Sequence, residues 1–360
     1  MRILFAGGGT GGHLFPGLAL ADEIRRLRGD MAIEFIGTDD GLEKDIVPAA
    51  GYPLYRIASR RGPPLSLQRP LNFLFFLHAL GQCRRLLGMP APAAAVVSLG
   101  GFAAAAPGLA AILARIPLAA LEQNAVPGRA TRFLARWARE LYLQFDEARP
   151  YFERSAAALF ACGSPLRQEI ARLASEDAPT RCHLLVMGGS QGARSLNRVF
   201  AESLPLLLQS GCHSIAHLAG ACHEDEARAA AAAHGEAVKV YGFCRDMASL
   251  YRGARLAVAR AGALSLAELA AAGVPAILVP FPAAADDHQL VNARIFEAAG
   301  AALVIEEKGL TAAALAAAIA TLWHDEERLA KMRQAMRGLA RPEAGAFMAR
   351  RILALCGIAI

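Results

Sequence analysis

The stretches AGGGTGGH (6–13) and GGSQGARSLN (188–197) decide the fold. Each follows a short apolar run, 2–6 and 183–187, and each leads into a helical pattern. The chain thus makes the strand, glycine turn, helix step of a parallel α/β sheet twice. Two such starts about 180 residues apart predict two similar domains, with ligands lying beyond the carboxyl ends of the strands. Further Val-, Ile- and Leu-rich runs occur at 32–36, 94–98, 117–121, 140–144 and 158–161, then at 214–218, 237–241, 255–259, 276–280 and 301–305. About six strands per half predict two doubly wound sheets facing each other across a cleft, not one very large sheet. The polar stretch ASEDAPTR (174–181) reads as a gap between them, and the Ala-rich segments 227–233 and 312–320 read as helices.

Composition sets the outer bounds. At about 150 residues per domain, 360 residues give two to three domains. A hydrophobic content of 55%, with 19% charged residues and a mean hydropathy of +0.32, excludes a disordered chain. Only 88–114 is free of charge over a span-like length, but Pro90, Pro92, Pro107 and the Gly100-Gly101 pair break it into strand, loop and helix. The strand-like start Arg2–Ala6 has no secretory-signal pattern, which predicts a cytoplasmic chain. Seven cysteines, with no CxxC among them, give no metal or disulfide framework. The net charge of +6 favours anionic partners: nucleic acid, a nucleotide or a membrane surface.

The loops carry candidate chemistry. Gly7, Gly9 and Gly12 fit GxGxxG, and Glu34, read as ending the second strand, stands where a dinucleotide enzyme keeps its ribose-binding acid. Turn-making glycines are the plainer explanation. His13 is read as ending the loop before a helix at 15–28, where an imidazole could take a proton from an attacking hydroxyl. In RAGALSLAE (260–268), Ser265 and Glu268 form either a capping box or a phosphate and ribose contact. DDHQLVNA (286–293) brings Asp287, His288, Gln289 and Asn292 to the same rim, and an amide such as Gln289 both donates to and accepts from sugar hydroxyls.

These motifs, with LEQNAVPGRATRFLA (121–135) and GSPLR (163–167), resemble in this order the bacterial MurG family of peptidoglycan N-acetylglucosaminyltransferases. The resemblance covers nearly the whole chain. It implies the GT-B fold of two Rossmann-like domains, here 1–161 and 162–341, with a last helix at about 342–356 returning to the first. It also implies a UDP-N-acetylglucosamine donor and a lipid I acceptor, with inversion at the anomeric carbon and no cofactor or metal. By the resemblance, Thr10, Gly11 and Gly12 approach the donor and Asn124 touches its sugar. Arg167 and Ser190 hold the nucleotide and diphosphate, and Cys244 stands where backbone groups read uracil. Ala263, Leu264, Ser265, Leu266, Ala267 and Glu268 line ribose and phosphates, with Glu268 on the ribose hydroxyls and Gln289 on the N-acetylglucosamine. His13, in the acceptor region, and Glu122 are the candidate bases, His13 first. Helix N-termini at Gly189–Ser190 and near 263 would receive the charge growing on the diphosphate. The chain departs from the family pattern at Leu121 (often His), Phe102 (often Tyr) and Ala105-Ala106 (often Gly-Pro), all on the acceptor side.

A lipid acceptor gives the run Phe73-Leu74-Phe75-Phe76-Leu77 a second meaning. Flanked by Arg60, Arg61, Arg69, Arg84 and Arg85, it suits either core packing or an anionic leaflet at the cytoplasmic face of the inner membrane. A cell-wall synthesis complex is a further expected partner, and no aromatic-interleaved basic tract supports nucleic acid. Three alternatives stay open: another GT-B UDP-sugar transferase, a nicotinamide or flavin oxidoreductase, and a non-catalytic nucleotide-sugar-binding protein.

Overall fold

The computed structural model describes all residues except 40, 59–69, 90, 177–181, 190–191 and 359–360, and for 70–72 it describes the backbone alone. Two compact units emerge: Met1–Arg167 with Glu343–Ile360, and Gln168–Pro342. The stretch at 174–181 therefore follows the start of the second unit, and its residues 177–181 lie outside the described ones.

The first unit holds β1 (Arg2–Gly7), β2 (Ala32–Gly37), β3 (Leu54–Arg56), β4 (Ala95–Gly100), β5 (Leu118–Glu122), β6 (Glu140–Leu143) and β7 (Ala158–Ala161), in the order β3-β2-β1-β4-β5-β6-β7. The second holds β8 (His183–Met187), β9 (Ile215–Leu218), β10 (Val238–Tyr241), β11 (Ala254–Ala259), β12 (Ala276–Leu278) and β13 (Ala302–Val304), in the order β10-β9-β8-β11-β12-β13. Every pairing is parallel. The chain reverses its direction of travel across the sheet between β1 and β4, and again between β8 and β11, which makes these the switch points where α/β sheets bind ligands.

Burial on both faces explains why the strands read as unbroken apolar runs. In β1, Ile3 and Phe5 pack with the helices Gly11–Leu27 and Ala344–Leu355, while Leu4 and Ala6 face the helices Pro70–Gly88 and Ala105–Leu113. The strand at 54–56 was not expected from sequence. It is three residues long and pairs only with β2, too short for a period to show. Segment 88–114 is a strand, a glycine bend and a helix, and no helix among the described residues is long and apolar enough to cross a membrane. The helix Ala344–Leu355 belongs to the first unit, where Arg351 hydrogen-bonds the buried Glu140 carboxylate and lies 4.6 Å over the Phe160 ring.

Candidate active site

In the first unit the switch point gathers the ends of β1, β4 and β5. The helix after β1 starts at Gly11, with Thr10 as its N-cap, four residues earlier than expected, so His13 sits inside its first turn. Pro16 explains the error: proline favours a helix's first position, but here it stands one turn in and leaves only the Gly12 carbonyl without its partner. Thr10 Oγ1 lies 2.9 Å from His13 Nδ1, which fixes the ring. The other edge of the imidazole lies over Gly100: a Cβ there would stand 3.0 Å from His13 Cδ2, 3.3 Å from Nε2 and 3.6 Å from Thr131 Oγ1.

Glu122, at the end of β5, is only 3% exposed. Its Oε1 accepts from the Asn124 N–H at 3.0 Å and its Oε2 from the Gly128 N–H at 3.1 Å. Burial raises its pKa, against hydrogen bonds from the Asn124 and Gly128 amides and the Thr131 hydroxyl that lower it. The carboxyl therefore shapes the loop 124–128 from beneath. Leu121 is buried in the core, and Phe102 stands beside the loop, 3.2 Å from where a Gly9 Cβ would be. Arg167 is the last residue of this unit before the chain passes into the second.

Glu34 does not match the dinucleotide reading. β2 continues to Gly37, so Glu34 is its third residue, and its Oε2 is 2.8 Å from Arg2 Nη1 at the start of β1, away from the glycine turn. An acid spent on an ion pair at that end of the sheet cannot hold a ribose.

In the second unit, Ser190 lies outside the described residues. The helix after the second glycine turn begins at Arg194, further along the chain than the expected start at Gly189–Ser190. The other expected N-terminus is present: Ala263–Ala272 is capped by the Gly262 backbone, with no side-chain cap. Ser265 is thus the third residue of the helix, and the capping-box reading fails. Ala263, Leu266 and Glu268 are buried, while Leu264, Ser265 and Ala267 are half-buried. Glu268 Oε2 accepts from the buried Tyr251 hydroxyl at 2.8 Å. Gln289 Oε1 accepts from the Phe281 N–H at 3.0 Å, which turns its amide N–H groups the other way. Asn292 is not on the rim: it is fully buried, with its amide 3.4 Å from the Ala261 carbonyl. Cys244 is half-buried in the loop after β10.

Arg260, quoted in a motif but given no part from sequence, ties these loops together. It is 6% exposed, and its Nη1 donates to Glu307 Oε2 at 2.7 Å and to the Val279 and Pro280 carbonyls at 3.1 Å each. Its Nη2 donates to Ser195 Oγ at 2.8 Å. Burial would raise the Glu307 carboxyl, yet hydrogen bonds from Ser195 and Arg260, together with the Arg260 charge, hold it below its ordinary pKa. One guanidinium thus joins the segments that follow β11, β12 and β13 to the first turn of the helix Arg194–Gln209 after β8, as its fork of five donors allows.

Two family models match, the glycosyltransferase family 28 N-terminal domain over residues 3–143 and its C-terminal domain over 183–345. The UDP-N-acetylglucosamine--N-acetylmuramyl-(pentapeptide) pyrophosphoryl-undecaprenol N-acetylglucosamine transferase of Anaeromyxobacter sp. (strain Fw109-5) is 42% identical, over 96% of this chain and 91% of its own. The Alkalilimnicola ehrlichii protein of the same name is 42% identical, over 97% of this chain and 98% of its own. The crystal structure of Acinetobacter baumannii MurG superposes with a TM-score of 0.76 at 29% identity, covering 98% of this chain and 99% of that one. With both sheets, both domain models and full-length relatives in agreement, the chain belongs to glycosyltransferase family 28, has the GT-B fold, and is a member of the MurG family of N-acetylglucosaminyltransferases.

Proposed function

We propose that this chain transfers N-acetylglucosamine from UDP-N-acetylglucosamine to the C4 hydroxyl of the muramoyl sugar in lipid I, inverting the anomeric carbon and releasing UDP. The observation that carries the proton-transfer step is the His13 imidazole, fixed by Thr10 and lying over Gly100 beside Thr131. Glu122 is the weaker base, because its oxygens face amides of its own loop. The base therefore acts from the first unit. In the second, the Ala263–Ala272 N-terminus meets the growing diphosphate charge. Glu268 takes the ribose hydroxyls, Gln289 the sugar and the Cys244 backbone the base. Ser190 on the diphosphate, and Thr10, Gly11, Gly12 and Asn124 near the donor, complete the proposed set. Transfer from labelled UDP-N-acetylglucosamine onto a lipid I analogue tests the reading. The variant His13→Ala should lose about a hundredfold in kcat with donor KM nearly unchanged. Near-normal turnover would remove His13 from the mechanism.

The acceptor's lipid implies a peripheral membrane enzyme at the cytoplasmic face, within reach of a cell-wall synthesis complex. In the helix Pro70–Gly88, Phe76 and Leu80 pack inward, whereas Phe73, Leu74 and Leu77 beside them are 41%, 60% and 45% exposed, with Arg84 and Arg85 also exposed. Arg60, Arg61 and Arg69 lie outside the described residues. An apolar ridge beside exposed guanidinium groups suits an anionic leaflet.

A further inference from the structure

The first glycine loop is built around an acid from another part of the chain. Glu43, which opens the short helix after β2, is 1% exposed. Its Oε2 accepts from the Gly9 N–H at 2.8 Å, and its Oε1 accepts from the Thr38 N–H at 3.0 Å and the Thr38 hydroxyl at 2.9 Å. A Cβ added to Gly8, Gly37 or Gly41 would come within 2.7, 2.5 or 2.0 Å of the Glu43 side chain. Three glycines from two loops therefore form a socket for one carboxylate. In a dinucleotide loop a phosphate would take the Gly9 N–H. Here that donor is spent, and an arriving phosphate would meet a like charge.

We infer that Glu43 is a positioning residue of the transfer reaction: the carboxylate in this socket holds the loop that presents Thr10 and His13, and a small carboxylate from solution can stand in for it. The inference rests on the reading of His13 as the base. Gly9 adjoins Thr10, whose hydroxyl fixes the His13 ring, so loss of the anchor displaces the base while the donor residues of the second unit keep their places.

The test uses the full chain. Glu43→Ala leaves an anion-sized space lined by three donors, so kcat should fall about ten- to hundredfold, and by more than the KM for UDP-N-acetylglucosamine rises, since only Thr10, Gly11 and Gly12 of the donor set lie on this loop. Formate or acetate should restore kcat severalfold or more. Formamide, of the same size but neutral and carrying donors of its own, should not. In Glu43→Gln an NH2 must face either the Gly9 N–H or the Thr38 donors, so kcat falls without rescue by formate. That variant keeps the volume filled and carries the test if Glu43→Ala does not fold. Wild-type kcat in Glu43→Gln while His13→Ala is inactive overturns the inference, as does equal rescue of Glu43→Ala by formamide. Normal turnover in His13→Ala overturns the reading of the base instead.

Discussion

Replacing Arg260 by Met tests how the loops of the second unit are held. Methionine fills a similar volume but removes the four hydrogen bonds that join Glu307, Ser195, Val279 and Pro280. Stripping one partner from a buried ion pair costs about 3–5 kcal/mol when the remaining charge stays buried. Glu307 is 24% exposed and can turn partly to water, which lowers its share, while the two carbonyls each lose a charged donor at about 1 kcal/mol. A net loss of about 3 kcal/mol follows. In a unit of this size about 1 kcal/mol moves the midpoint by roughly 2–4 °C, so calorimetry should show the second unit melting about 6–12 °C lower. UDP-N-acetylglucosamine affinity should weaken about tenfold, since Pro280 and Phe281 carry the amide that orients Gln289. Lysine keeps the charge but cannot reach four acceptors at once, so Arg260→Lys should fall between wild type and Met. A midpoint within about 1 °C of wild type in Arg260→Met would refute the reasoning.

Other outcomes follow from single groups. Burial lowers the His217 pKa to about 4, against 6.5 unperturbed, and His217 pairs with Asn197 at 3.1 Å. The unfolded chain then takes up the proton first, so this contribution is complete above pH 6.5 and is lost as the pH falls toward 4, amounting to about 3 kcal/mol. In denaturant melts His217→Gln should show a flatter decline over that window, and equal slopes would contradict the assignment. Sedimentation with anionic vesicles should fall about tenfold or more for Arg84→Glu with Arg85→Glu, since each basic group near such a surface contributes about 1 kcal/mol; unchanged binding would count against this face. Tyr251→Phe removes the hydroxyl that fixes Glu268 and should narrow the preference for UDP-N-acetylglucosamine over its 2′-deoxyribose analogue severalfold, with a preserved ratio speaking against Glu268 on the ribose.

What sequence revealed and what it hid have physical causes. Strands such as Ile3–Ala6 and Ala95–Val97 showed because both faces are covered, so every position had to be apolar. Helix starts were harder to place, since Gly11-Gly12 has poor helix propensity and tertiary contacts override it. Glu34 misled because spacing fixes a residue's place along a strand but not its partner, here Arg2. Ser265 with Glu268 matched a capping box by spacing alone, while the backbone already capped the helix one turn earlier at Gly262. Glu43 and Arg260 went unassigned because what makes each of them matter lies 34 and 47 or more residues away in sequence, at Gly9 and at Glu307 or Ser195.

The two glycine turns that decided the fold are alike in sequence and opposite in electrostatics. Beneath the first switch point stand two buried acids, Glu43 and Glu122, whose oxygens consume the Gly9, Asn124 and Gly128 amides. At the second stands a buried guanidinium, Arg260, beside the N-terminus of Ala263–Ala272, which has no side-chain cap. The first turn has its amides taken up by carboxyl oxygens, whereas beside the second a guanidinium, itself paired with Glu307, stands next to a helix N-terminus, the arrangement that favours an anion. Glycine spacing alone cannot carry this distinction, because it records only where the backbone must turn. What is packed beneath each turn separates the unit that would hold the nucleotide from the unit that would hold the base.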